Sequence, residues 1–335
     1  MLRRWLESAW YRKQPPFVLR PLSALFGAVI ALRRWSYDAG LRRSTAVGVP
    51  VIVVGNLTVG GAGKTPVVLW LAGQLQLLGW RVGIVSRGYG SARPLRTPRL
   101  VLQDDAGTVG DEAVLLARRA DCPVCVGVDR VAAARQLVDL GCQVIVADDG
   151  LQHLALRRDV ELVVIDGTRL FGNGALLPAG PLRERPGRLA RVDALIINGS
   201  PHPDLPPAGE IRTHMRLQPE QFLRLTDGAA AAVGQWRDQP VHAVAGIGNP
   251  ARFFATLREL GLRPVEHAFA DHHAFTRSDL AFDDALPIVM TEKDAVKCAA
   301  FATDRMWSLR VTAQFEHDDA ARLLDLLQTR LTGKR

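Results

Sequence analysis

The chain has 335 residues, long for one core, so two domains are the first expectation. With 48% apolar and 23% charged residues it reads as a folded protein rather than a disordered one, and four cysteines do not suggest a disulfide scaffold and fit a reducing cytosol. The net charge of +8 is unevenly spread: residues 1–45 hold nine basic side chains against Glu7 and Asp38, a net of +7, which leaves +1 for the other 290 residues.

The basic arm comes first. Leu2, Trp5, Leu6, Ala9 and Trp10 follow helical spacing, with Arg3, Arg4 and Glu7 between them. "PLSALFGAVIAL", 21–32, is uncharged and bracketed by Arg20 and Arg33-Arg34. As a helix its twelve residues would reach roughly 18 Å, short of the roughly 30 Å of bilayer hydrocarbon. Three of seven tryptophans and two of three tyrosines also fall in the arm, as ring anchors at an interface would. Nucleic acid or an anionic membrane surface could answer such charge, and the apolar stripe and rings favour the membrane. A helical hairpin packed on its own protein is the alternative, and the two readings are compatible. The charges interrupting the apolar run argue against a signal peptide. The arm is expected to rest on a bilayer, not to cross it.

From position 50 the pattern is strand, glycine loop, helix: "PVIVVGN", then "LTVGGAGK", then "TPVVLWLAGQLQLLGW". "RVGIVS", "CPVCVGV", "QVIVAD", "ELVVID" and "DALIIN" are further apolar runs of strand length, with helical stretches between some of them. Such strands predict a parallel sheet covered on both faces. Cys122 and Cys125 fall in the second of these, where alternation would point the thiols to opposite faces. The Pro- and Gly-rich segment 199–210 reads as a boundary, and a smaller α/β series follows it. The predicted division is an arm (1–45), a P-loop kinase domain (46–210) and a smaller C-terminal α/β domain (211–335).

The glycine loop carries most of the chemistry. Gly60, Gly61 and Gly63, with Ala62 between them, allow backbone amides to meet phosphate oxygens at the start of a helix. Lys64 would reach the β- and γ-phosphates and Thr65 would ligate Mg²⁺. Thr58 stands where the strict pattern wants glycine. Asp148 and Asp149, at the end of an apolar strand, suit an Mg²⁺ carboxylate pair, although D-D-G is also good turn chemistry. Asp111 and Glu112 open a predicted helix, where the dipole alone favours acids. Asp271, His272 and His273 are open to a metal or to an Asp–His pair. Thr291 and Asp294 read as a helix cap, which leaves Lys293 as an unexplained charge. Arg87, Arg169 and Arg183 are candidates for an anionic substrate, with ion pairing as the alternative for Arg87 and Arg183. A nucleotide-hydrolysing switch and a non-enzymatic nucleotide-binding scaffold are the rival classes. "TEKD" does not match the N-K-x-D that guanine preference would need.

"VGNLTVGGAGKTP", "SRGYG", "VGDEA", "ADDGLQH", "FGNGALLPAGPLRER", "FADHHAF" and "MTEKDAVK" stand here in one order. In that order and spacing the chain resembles the tetraacyldisaccharide 4'-kinase family, the lipid A 4'-kinases, from about residue 3 to about residue 325. The resemblance implies two α/β/α domains joined by a β-stranded linker, the larger a P-loop NTPase-like parallel sheet. It implies transfer of the γ-phosphate of ATP to the 4'-hydroxyl of tetraacyldisaccharide 1-phosphate, yielding lipid IV A, at the cytoplasmic face of the bacterial inner membrane with peripheral attachment. It implies no nucleic acid, and no obligate protein partner is expected. It also implies that Asp111 is the base for the sugar hydroxyl, assisted by His272, and that Asp148 and Asp149 serve Mg²⁺ binding and catalysis. Thr58 is then a family trait, and Ala113 replaces the family's usual proline after G-D-E.

Overall fold

The structure is a computed structural model that describes residues 6, 8–199, 205, 206 and 208–333. Leu2, Trp5 and their charged neighbours in the predicted first helix lie outside the described residues, as do 200–204 and 207 of the predicted boundary. The arm contributes helix α1 (Arg20–Asp38), which continues past the uncharged stretch through Arg33 and Arg34. No described helix is long and apolar enough to cross a membrane.

Strand β1 (Val51–Gly55) leads through the glycine loop into α2 (Lys64–Leu77). There follow β2 (Val82–Ser86), β3 (Arg99–Leu100), the short α3 (Ala106–Val109) and α4 (Asp111–Arg119). Next come β4 (Val124–Val126), α5 (Arg130–Asp139), β5 (Val144–Asp148), β6 (Val160–Asp166) and β7 (Ala194–Asn198). The second part holds β8 (Ile211–Arg224), β9 (Ala230–Ala232), β10 (Pro240–Ala245), α6 (Pro250–Glu259) and β11 (Arg263–Ala268). The chain closes with β12 (Ile288–Thr291), α7 (Glu292–Cys298), β13 (Met306–Phe315) and α8 (His317–Thr332).

These strands form one mostly parallel sheet in the order β11-β10-β12-β13-β8-β7-β6-β1-β5-β2-β4-β3, with β9 paired to β8. Alternation sorts the first half into two cores. Ile52, Val54 and Val146 face one side with α2 and α4, and Val51, Val53 and Ile145 face the other with α5. The second half has its own two apolar clusters, centred on Phe222 and Leu257 and on Val244 and Met290. Both sides of the sheet are therefore covered at its inner strands, which is why strands such as β1 and β5 are apolar on both faces.

The seam is the antiparallel pair β8 and β13; the resemblance implies a β-stranded linker, but the residue pattern did not locate these two strands. Strand β8 also pairs in parallel with β7, so the sheet runs unbroken between the halves. Its polar residues Arg212, Arg216 and Glu220 lie on the exposed side, and the register skips one residue beside Pro219, which has no N–H to give. Helix α8 then returns to the first half, where Leu323, Leu327 and Leu331 enter its core.

Phe222 is fully buried at this seam, 4.6 Å from the ring of Trp236. Phe222→Ala is expected to destabilise the fold by about 3–5 kcal/mol, read as a lower urea midpoint.

Candidate active site

The glycine loop leaves β1 at its carboxyl end, where a parallel sheet opens a crevice. Gly60 and Gly63 have φ of 98° and 94°, a region closed to most side chains. Three successive loop carbonyls are tied down by side chains. Asn56 Nδ2 donates to Gly60 O at 3.4 Å, Arg169 Nη2 to Gly61 O at 2.7 Å and Asn198 Nδ2 to Ala62 O at 3.0 Å. Lys64 is buried at the start of α2, where its ammonium donates to Asn56 Oδ1 at 3.2 Å and lies 3.6 Å from Asp149 Oδ1. Arg169 also donates to Gly248 O at 2.6 Å, so the second half is fastened to the loop.

Asp148 ends β5 and Asp149 turns the chain with φ 48°, which aspartate tolerates better than most residues. The two carboxylates are neighbours with opposite surroundings. Asp148 accepts from Ser86 Oγ at 3.4 Å through Oδ2, while its buried Oδ1 has no hydrogen-bond partner. Burial, with the charge of Glu112 added, pushes its pKa up to about 7. Asp149 takes Arg183 Nη1 on both oxygens, at 2.9 and 2.8 Å. Burial opposes its charge too, but Lys64, Arg183 and Arg130 outweigh that and hold its pKa well below the usual carboxylate range.

The third group joins the two halves. Asp111, buried at the N-terminus of α4, receives His272 Nδ1 at 3.0 Å across 161 residues of chain. Burial works against the charged form of Asp111, yet the His272 hydrogen bond and the charge of Lys293 hold its pKa below the ordinary value. His272 has φ 61° and its ring meets that of Tyr89 edge-on at 4.6 Å. His273 turns away to Asp279 at 3.3 Å, so the adjacent histidines do not converge. Lys293, from the first turn of α7, lies 3.0 Å from Glu112 Oε1. Its surroundings of Glu112, Asp111 and Asp271 raise its pKa against the effect of burial. Thr291 caps that helix by accepting from the Asp294 amide, as predicted.

A cavity of about 640 Å³ is lined by Lys64, Asp149, Glu112, His272 and Lys293, with Phe26, Ile30 and Arg33 of α1 also lining it. A second, more apolar cavity of about 200 Å³ lies beyond the loop, between Thr65, Arg119, Asn198 and Phe253. Gly60, Gly61, Lys64, Asp149 and His272 thus share the first cavity, with Asp111 and Asp148 buried behind it. Thr65 opens onto the second cavity, as do Ala62 and Gly63, and Lys64 lines both. Thr58 forms a backbone bridge with Leu182. Of the candidate arginines, Arg87 lines the first cavity, Arg183 holds Asp149, and Arg169 is spent on Asp166, Gly61 and Gly248.

Asn56, Asn198 and Arg130 were missed by sequence reasoning. An asparagine at the carboxyl end of an apolar strand was the available signal for the first two, because strand carboxyl ends line the crevice. Arg130, buried and donating to Asp149 O at 2.6 Å, follows Asp129 at the start of α5 and carries no local mark of its role.

An α/β sheet that gathers a lysine-bearing glycine loop, an acid pair and a carboxylate–histidine pair in and directly behind one cavity defines a phosphotransferase. The family model of tetraacyldisaccharide-1-P 4'-kinase matches residues 16–331. The chain belongs to that family. Tetraacyldisaccharide 4'-kinase of Alkalilimnicola ehrlichii is 52% identical over 322 residues, covering 95% of each chain. The protein of the same name from Nitrosococcus oceani is 46% identical over 321 residues, covering 95% of this chain and 93% of its own. Among solved structures, "apo" form LpxK from Aquifex aeolicus in complex with ATP aligns with a TM-score of 0.76 at 29% identity, over 94% of this chain and 98% of that one.

The raised pKa of Asp148 gives a pH prediction. Between an unfolded carboxyl near pH 4 and the folded one near 7, the native state holds the extra proton, so this group's contribution to stability falls as pH rises through that window. Without nucleotide or divalent cation, Asp148→Asn is expected to be more stable than the parent above pH 7, on the order of 2–4 kcal/mol, and to lose that advantage towards pH 4. Denaturant midpoints across the pH range check this.

Proposed function

We propose that the Lys64 loop and the Asp111–His272 pair carry the reaction of this ATP-dependent 4'-kinase of lipid A biosynthesis. The chain transfers the γ-phosphate of ATP to the 4'-hydroxyl of tetraacyldisaccharide 1-phosphate, giving lipid IV A. The observation that supports these roles is the arrangement of that pair and Lys64 around one cavity.

Asp111 takes the proton of the 4'-hydroxyl as its oxygen bonds to the γ-phosphorus. The bond from that phosphorus to the β–γ bridging oxygen breaks, and ADP leaves with the electron pair. His272 orients the Asp111 carboxylate. Lys64 and the amides of Gly60 to Thr65 neutralise charge on the β- and γ-phosphates, with Thr58 setting where the loop begins. Thr65, Asp148 and Asp149 would hold Mg²⁺. A cation bound by them would supply charge neutralisation for the transferred phosphoryl group. The partnerless Oδ1 of Asp148 fits that role, since a buried carboxylate oxygen without a donor is costly until a cation meets it. Arg183 keeps Asp149 ionised and Arg130 holds its carbonyl.

The working partition is 1–45 as membrane-associating arm, 46–210 as P-loop kinase domain and 211–335 as smaller α/β domain, with α8 crossing back. Leu22, Leu25, Val29 and Leu32 of α1 are all exposed, at 53, 63, 55 and 63%, on one helical stripe. That stripe and the arm's charge suit peripheral attachment to an anionic membrane, at the cytoplasmic face of the bacterial inner membrane.

The deciding assay supplies γ-labelled ATP, Mg²⁺ and tetraacyldisaccharide 1-phosphate in detergent micelles. Label on the lipid is expected, with Asp111→Asn slower by about 10²–10⁴-fold. Phosphate release without labelled lipid would overturn the reading. Separately, the double change Leu25→Glu and Val29→Glu is expected to release the protein from sedimenting anionic vesicles, while Leu77→Glu, at an exposed leucine of α2, leaves it bound.

A further inference from the structure

Lys293 sits in the first turn of α7, the end of a helix dipole that disfavours a cation, so its place needs a specific partner. It has three. Its ammonium donates to Glu112 Oε1 at 3.0 Å, lies 3.7 Å from Asp271 Oδ1, and is 3.4 Å from His272 Nε2. The last distance decides a proton. An ammonium has only donors, so the ring nitrogen facing it must be an acceptor, and the single proton of a neutral imidazole then sits on Nδ1. Nδ1 is the atom 3.0 Å from Asp111 Oδ2.

We propose that Lys293 is a positioning residue for the phosphoryl-acceptor step: it holds His272 as the neutral, Nδ1-protonated tautomer that donates to Asp111. The inference rests on Asp111 being the base. Asp271 defines the competing state. Its Oδ1 is buried without a hydrogen-bond partner and lies 3.8 Å from His272 Nε2. Without the ammonium, Nε2 faces that carboxylate and acquires a proton. The imidazole is then a cation between Asp111 and Asp271, and an imidazolium bound to Asp111 makes it a weaker base. The groups that face Lys293 and His272 are Asp111 and Glu112 from α4, Asp271 from the segment after β11, and the Tyr89 ring. Gly90 keeps the fourth side narrow, since a side chain there would meet Asp111 Oδ1 at 3.2 Å and His272 Nδ1 at 3.5 Å.

Two measurements on the full chain test this. Nitrogen-15 spectra of histidine-labelled protein, with the His272 signals identified by their loss in His272→Asn, are expected to show Nδ1 protonated and Nε2 bare. Lys293→Met is expected to lower kcat at neutral pH by on the order of 10- to 100-fold, with KM for ATP little changed and the rate recovering towards alkaline pH. Lys293→Arg, still a cationic donor, is expected to restore most of the rate. A protonated Nε2 in the parent protein would overturn the proposal, and that spectrum decides even where the methionine variant does not fold. A parental rate and pH profile in a folded Lys293→Met, with Asp111→Asn inactive, would overturn the Lys293 role alone. Full activity in Asp111→Asn would overturn the base assignment and this inference with it.

Discussion

Asp111 and His272 meet at 3.0 Å although they belong to different halves of the chain. Neither residue has a catalytic arrangement on its own element. Asp111 lies at a helix N-terminus, where acids are common, and His272 lies in a turn after an edge strand. Their pairing exists only because β8 and β13 carry one sheet through both halves and fix the distance between α4 and the β11 turn. The same alignment brings Glu112 to Lys293 and Arg119 to Glu292, at 3.0 and 2.8 Å. The sheet is in that sense the positioning device for the site, and the residues proposed to act there are its passengers.

Opposed local fields then set the acids apart. Asp148 and Asp149 are consecutive, yet one is shifted up by burial beside another acid and the other is held ionised by three cations. Asp111 stays ionised through a histidine and a nearby lysine in spite of deep burial. Carboxylates driven apart in this way mark sites that handle charge in a controlled order.

Much of this was legible in the sequence, for reasons specific to each element. The strands β1, β2, β5, β6 and β7 are buried on both faces, so they read as apolar runs in which Glu161 of β6 is the one charge before the last residue. The glycine loop is contiguous, and its dihedral demands are written into its composition. Strand β8 was not legible: one side faces solvent, Pro219 sits in its middle, and its fourteen residues read as polar chain. The site was legible only piecewise. Asp111, Glu112 and Lys293 each look like ordinary helix-end residues until the second half folds onto the first. The family resemblance named Asp111 and His272 as partners, which spacing along the chain had no means to do. Lys293 stood out as unexplained because capping accounted for Thr291 and Asp294 but not for the cation between them.

Gly248 has a consequence of a mechanical kind. A Cβ there would lie 2.5 Å from the Gly61 nitrogen and 3.1 Å from Gly60 Cα, so the β10–α6 turn abuts the loop main chain to main chain, beside the Arg169 bridge. Side chains can yield to pressure by changing rotamer, but two abutting backbones transmit displacement almost rigidly. A change in the loop's shape at this contact is therefore passed to the turn between β10 and α6 as a push on a lever.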